Sequence, residues 1–194
     1  EALIRDAILA EKARGGQVFF IHIRVKGIEL IAGKISKLVP GVSIVAAHGR
    51  MPERMLEKTM LDFIKGKIGC LVSTTIIESG IDIPNANTII INRADTFGLS
   101  ELYQLRGRVG RWTRAAHAYL MVPKNLLLSP KSAKRLQAIK KFQDLGSGFK
   151  LAMEDLQIRG AGNLLGVEQH GYISSVGFDM YCRLLKSAVE SYKT

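Results

Sequence analysis

Gln17-Val18-Phe19-Phe20-Ile21-His22 is a short, nearly all-apolar run, preceded by Gly15-Gly16. Such a run, without polar alternation, is what a strand buried on both faces requires. Upstream, Leu3, Ile4, Ala7, Ile8 and Ala10 recur at helical spacing, which predicts a helix over 2–14 that stops at the glycine pair. Downstream, Ile28, Ile31, Ala32, Ile35 and Leu38 mark a second helix closed by Pro40-Gly41, and Val42-Ser43-Ile44-Val45-Ala46 reads as a strand. Pro52 suits the first turn of a third helix that reaches about Ile64. Ile68 to Ser73, Thr88 to Ile91 and His117 to Val122 repeat the buried-strand pattern. Strands of this kind alternating with helices predict an α/β domain, a doubly wound parallel sheet covered on both faces. Ligands are then expected at loops leaving the carboxyl ends of strands.

After Pro123 the pattern changes. Ser129-Pro130 is an N-cap followed by proline at the first helical position, predicting a helix to about Leu145. Phe149 to Ile158 resumes helically, Arg159 to Gly171 is a glycine-rich loop, and Gly177 to Tyr192 predicts a last helix. The expected organisation is one lobe over 1–126 and a helical appendage over 127–194.

The 194 residues are 47% hydrophobic, enough for a proper core. No apolar run approaches a membrane span and the start does not resemble a signal peptide, so a cytoplasmic location is expected. A start at Glu1 rather than methionine is expected of a piece of a longer protein. Cys70 and Cys182 lack paired spacing and read as buried free thiols rather than a zinc site or disulfide framework. The net charge is +11, unevenly spread: residues 1–100 carry 13 basic and 10 acidic side chains, residues 101–194 carry 15 and 7. Nucleic acid is the commonest partner for such a balance, because each neutralised phosphate releases counterions.

The excess begins at Gln104-Leu105-Arg106-Gly107-Arg108-Val109-Gly110-Arg111. Arginine presents a fixed fork of donors that suits phosphate oxygens, and Gly107 and Gly110 allow tight turning. Arg108 and Arg111 are therefore read as reaching a nucleotide triphosphate held mostly by something else; a basic helix end on a solvated face is the plainer reading. Two other loops follow strand ends. His48-Gly49-Arg50-Met51 precedes a helix and can hold a phosphate. Ser73-Thr74-Thr75 offers hydroxyls where a buried strand ends, well placed for a phosphate backbone, while Gly80 permits close approach and Asp82 could accept from a ribose hydroxyl. A polar turn in which Asp82 caps local structure is the alternative there. No Gly-x-x-x-x-Gly-Lys-Ser/Thr occurs; Gly33-Lys34 and Gly66-Lys67 lack the spacing and the hydroxyl. If a triphosphate is hydrolysed, its cradle and its metal lie elsewhere.

Thr74 to Pro84 together with Gln104 to Arg111 resembles the fifth and sixth motifs of superfamily-two helicases. Gly148-Phe149, Asp155-Leu156, Arg159-Gly160, Gly162, Leu164-Leu165-Gly166 and Gln169-His170-Gly171 resemble the translocation motif of RecG-like translocases. Ala86 to Asp95 and Arg159-Gly160-Ala161-Gly162 are most similar to the transcription-repair coupling branch of that group. The resemblance implies a RecA-like second motor lobe with an appended translocation segment, part of an ATP-dependent double-stranded DNA translocase and inactive alone. It implies Arg108, Arg111 and Gln104 as catalytic residues at the γ-phosphate, and Gly80 and Asp82 as further nucleotide contacts. Arg50, Ser73, Thr74 and Thr75 are implied to face DNA, and Arg159 and Gln169 to couple closure to stepping. The implied cofactor is ATP, with Mg2+ held by the first lobe, and no metal site here. The implied partners are double-stranded DNA and the first RecA-like lobe of the same protein. RNA polymerase and excision-repair proteins are implied too, reached through modules absent from these residues, with no membrane association. Trp112, Arg50 and Gln157 depart from the family pattern, which more often has a small polar residue, glutamine and glutamate there. The alternatives are a RecG-type fork-remodelling helicase lobe and a non-catalytic nucleic-acid-binding α/β module.

Overall fold

The computed structural model describes residues 1–74, 83, 85–110, 114–142 and 146–159. It divides into two compact units, Glu1–Phe97 with Glu101–Leu126, and Gly98–Ser100 with the described residues from Leu127 on.

The first unit is built on five parallel strands: β1 (Gln17–Ile21), β2 (Ile44–Ala47), β3 (Cys70–Ser73), β4 (Ala86–Ile91) and β5 (His117–Leu120). Their order is β2-β3-β1-β4-β5, so the strand that begins the sheet ends up at its centre. Phe19 lies opposite Leu71 on one side and Ile89 on the other, and β1, β3 and β4 are buried along their whole length. That position explains the unbroken apolar run: a central parallel strand meets no water on either face. The edge strand β5 is different, with His117 and Ala118 exposed.

Helices cover both faces. On one, α1 (Ala2–Ala13) and α2 (Ile28–Leu38) bring Ala7, Ile8, Ile28, Ala32 and Ile35 onto Val18, Phe20, Cys70, Val72 and Ile90. On the other, α3 (Glu53–Ile64) sets Phe63 against Phe19 with ring centroids 5.0 Å apart. Each fully buried Val, Ile or Phe among them contributes roughly 1.5–3 kcal/mol of burial. Pro52 stands at the N-cap of α3 rather than inside its first turn, with extended ψ. Cys70 is a fully buried free thiol, and burial pushes its pKa up to about 12. Cys182 lies outside the described residues.

Polar side chains tie the amino end of the sheet. Buried Gln17 donates to the carbonyls of Phe63 and Ile68, both at 2.6 Å, joining β1 to α3 and to the approach of β3. The β1–β4 register slips between Gln17, which faces Ala86, and Val18, which faces Thr88, so Asn87 is the extra residue.

The helix α4 (Leu99–Arg106) follows a short 3-10 turn at Ala94–Thr96. In the second unit α5 (Pro130–Lys141) starts as the sequence predicts, with Ser129 accepting from the Ser132 N–H and Pro130 at the first position. It ends at Lys141, short of Leu145. α6 (Gly148–Arg159) packs on it, and Ala138, Ile139 and Leu151 are buried. The last predicted helix lies outside the described residues.

Candidate phosphate-facing and nucleic-acid-facing site

The carboxyl ends of β1, β2, β3 and β4 place the first group of polar residues. Ala47 pairs with Ser73, so the His48-Gly49-Arg50 loop and the Ser73-Thr74 loop leave neighbouring strands side by side. Ser73 and Thr74 are both buried, and the Ser73 Oγ has no hydrogen-bond partner among the described residues. The His48 loop closes on itself: the Arg50 N–H donates to His48 Nδ1 at 3.3 Å and the Met51 N–H to the His48 carbonyl at 3.0 Å. The exposed Arg50 side chain therefore stands on a fixed turn beside the β3 exit.

Sequence reasoning missed the neighbours of this group. His22, the last residue of the quoted apolar run, donates its backbone N–H to the Ser73 carbonyl at 2.8 Å, and its Nδ1 lies 3.2 Å from Asn92 Nδ2. Burial lowers its pKa below the usual 6.5, and exposed Arg24 adds to the shift. Beyond β4, Arg93 adopts φ 57, a conformation that is uncommon outside glycine, and pairs with buried Asp95 at 2.9 Å. A polar residue ending an apolar strand was the available signal for His22 and Asn92.

The arginine run lies elsewhere. Gln104 is exposed on the last full turn of α4, and Arg106 stacks over the Tyr103 ring at 5.1 Å. The helix tightens at its end, with the Gly107 N–H donating to the Tyr103 carbonyl and the Arg108 N–H to that of Leu105. Gly110 has φ +82, whereas Gly107 needs no left-handed conformation, so only one of the two glycines uses its freedom. A Cβ on Gly110 would come within 2.9 Å of the Ala116 methyl, which puts the run beside the start of β5. Val109 is buried and Arg108 partly exposed, so the turn anchors itself by the valine and presents the arginine.

The candidate residues thus form two groups: Arg50, Ser73 and Thr74 at the carboxyl end of the sheet, Gln104 and Arg108 on the path back to its amino end. In the second unit Arg159 pairs with Asp155 at 2.8 Å, one turn apart on α6. Thr75, Gly80, Asp82, Arg111 and Gln169, with Trp112, lie outside the described residues.

The profile described as "Helicase conserved C-terminal domain" matches residues 1–113. The chain belongs to that family. Its helicase domain is similar to part of the transcription-repair-coupling factor of Bacillus subtilis, at 58% identity over 192 residues, covering 99% of this chain and 16% of that protein. The corresponding protein of Staphylococcus haemolyticus is 56% identical over 186 residues, 96% of this chain and 16% of the relative. The chain thus spans about a sixth of the length of these relatives. Among solved structures, RecG bound to a three-way DNA junction aligns with a TM-score of 0.69 at 36% identity, over 88% of this chain and 22% of RecG.

In the helicase domain the α/β expectation holds: the sheet is parallel throughout and covered on both faces. Among the described residues, no group of three or more His, Cys, Asp or Glu side chains could hold a metal ion, and no helix is long and apolar enough to cross a membrane.

Proposed function

We propose that this chain is the second motor lobe of an ATP-dependent double-stranded DNA translocase that couples removal of stalled transcription to DNA repair. The carrying observation is 58% identity across nearly the whole chain to a transcription-repair-coupling factor, in a sequence that has the arginine run and lacks a phosphate-cradling loop. In this reading residues 1–126 are the lobe and 127–194 the appendage that carries the translocation motif.

The chemistry of the donor set supports the division of labour. Arg108 offers only N–H donors, suited to phosphate oxygens and unable to ligate Mg2+, and the Gln104 amide can add one more N–H donor. Magnesium and the phosphate cradle belong to the first lobe, with ATP clamped between the two. Arg108 and Arg111 then meet charge that develops on the transferred phosphoryl group, with Gly80 and Asp82 as neighbours on the nucleotide; such arginines are worth about 10³–10⁵ in rate. Arg50, Ser73, Thr74 and Thr75 hold the DNA backbone. Arg159 and Gln169 turn lobe closure into stepping. RNA polymerase and excision-repair proteins are engaged by other parts of the longer protein, in the cytoplasm. A RecG-type fork-remodelling lobe is the second reading, favoured by the 36% identity to RecG, the weaker of the two likenesses.

The test is DNA-stimulated ATP hydrolysis. The 194-residue chain alone is expected to show none, and the same chain joined to its upstream lobe to show it in full. Turnover by the isolated chain would overturn the half-motor reading.

A further inference from the structure

Glu11 is a carboxylate that the proposed mechanism does not use, yet it is 1% exposed. It sits in the last turn of α1, where Arg14, three residues on, pairs with it, and the Thr88 hydroxyl of β4 donates to it. Gly16 is shaped to this group: a Cβ there would fall 1.8 Å from Glu11 Oε1. Both contacts go to Oε2 while Oε1 is buried without a partner among the described residues, so Arg14 supplies the charge that neutralises this carboxylate and its geometry is set by the core.

Arg14 uses the other arm of its guanidinium. Its Nη1 donates to the Ala115 carbonyl at 3.0 Å, and Arg114 Nη1 reciprocates by donating to the Arg14 carbonyl at 3.1 Å. Arg14 is the C-cap of α1, so Arg114 satisfies one of the carbonyls a helix leaves orphaned. These two bonds clasp residues 114–115, and Gly110 packs against Ala116 just beyond. The two described stretches that flank 111–113 are therefore both held. The end of α4 fixes one, and α1 fixes the other through a carboxylate keyed into β4.

We propose that Arg14 is a positioning residue for the arginine run: clasping 114–115, next to the Ala116 methyl on which Gly110 packs, it sets the reach of Arg108 toward the nucleotide phosphates. This rests on the half-motor reading above. A segment anchored on both sides samples fewer conformations, so Arg108 arrives preorganised instead of paying for order at each turnover. Displacement of a positioned group by 1 Å costs on the order of 10²-fold in rate.

Lysine separates this role from a plainly structural one. Arg14→Lys keeps the positive charge that Glu11 needs but has no second arm for Ala115. In the intact two-lobed motor, Arg14→Lys is expected to melt as wild type does and to bind ATP with unchanged KM. Its kcat for DNA-stimulated hydrolysis is expected to fall about 10- to 100-fold, within the cost of a small misplacement. Arg114→Ala, on the surface, is expected to lower kcat by less, again at constant KM. Wild-type kcat in Arg14→Lys, or a loss confined to KM, would overturn the proposal. Arg108→Ala is measured alongside: if it leaves hydrolysis intact, the phosphate-facing reading itself fails. If it abolishes hydrolysis while Arg14→Lys does nothing, only the positioning role fails.

Discussion

The two ends of the parallel sheet are built on opposite plans. At the amino end, Gln17 spans to two carbonyls and Glu11 joins α1, Arg14 and β4, each with its other side-chain oxygen buried and without a partner among the described residues. At the carboxyl end, the Ser73 hydroxyl is buried without a partner among the described residues, and Arg24 and Arg50 stand exposed. Polar groups buried in an interlocking set make a fold rigid, and exposed cations at strand ends are what a polyanion can use. The molecule thus holds itself from one end and offers donors at the other. The arginine run, although proposed to act on the nucleotide, is tied to the rigid end.

Removing an arginine from the run gives the largest expected effect. Arg108→Ala in the intact motor is expected to cut ATP turnover by about 10³-fold or more, the range for arginines that meet transferring phosphoryl groups. Its melting temperature is expected to stay close to wild type, because Arg108 is partly exposed on a turn anchored by Val109. Steady-state hydrolysis with saturating DNA checks it. Unchanged turnover would leave Arg108 as no more than a surface cation.

The amino end should be the costly one to disturb for stability. Gln17→Leu removes the donor to the Phe63 and Ile68 carbonyls, of which Phe63 keeps the Gly66 N–H, and is expected to destabilise by about 1–3 kcal/mol in urea unfolding. Ser73→Ala, at the other end of the sheet, removes a hydroxyl whose oxygen is unpaired, and is expected to change stability by less than about 0.5 kcal/mol. Arg50→Ala, exposed beside the same strand exit, should leave stability unchanged and weaken DNA binding measurably, as loss of a phosphate-facing cation does. A loss of stability in Ser73→Ala as large as that in Gln17→Leu would erase the contrast between the two ends.

Much of the fold was legible because burial on both faces leaves an unmistakable trace. β1, β3 and β4 are apolar without interruption, and the helices between them carry one apolar stripe each. The strand edges were less legible. Val42 and Ile68 extend the apolar runs but pack outside the strands, since side-chain character does not report where ladder pairing stops. The locks of the amino end were not legible at all. Glu11 and Arg14 read as the polar face of an exposed helix, and only register brings Thr88 and Ala115 to them. The arginine run announced itself by composition, but its distance along the chain from Ser73 and Thr74 could not say that Gly110 lies beside the start of β5. His22 ended a quoted strand and still went unremarked, because its role depends on Asn92, seventy residues away.

That histidine gives the smallest and most local prediction. Asn92 Nδ2 is a donor, so Nδ1 of His22 must be unprotonated to accept from it, and the neutral ring carries its proton on Nε2. Burial and the charge of Arg24 both disfavour the imidazolium, with burial the larger cause, and hold the pKa below 6.5. The unfolded chain therefore binds this proton more readily. The contribution to stability is fully present above about 6.5 and is lost as pH falls through that value toward the folded-state pKa. Arg24→Gln is expected to raise the His22 pKa, though not all the way to 6.5, because burial remains. Titration of the imidazole by NMR reads this directly. A pKa unmoved by the substitution would show that Arg24 points its charge away from the strand ends.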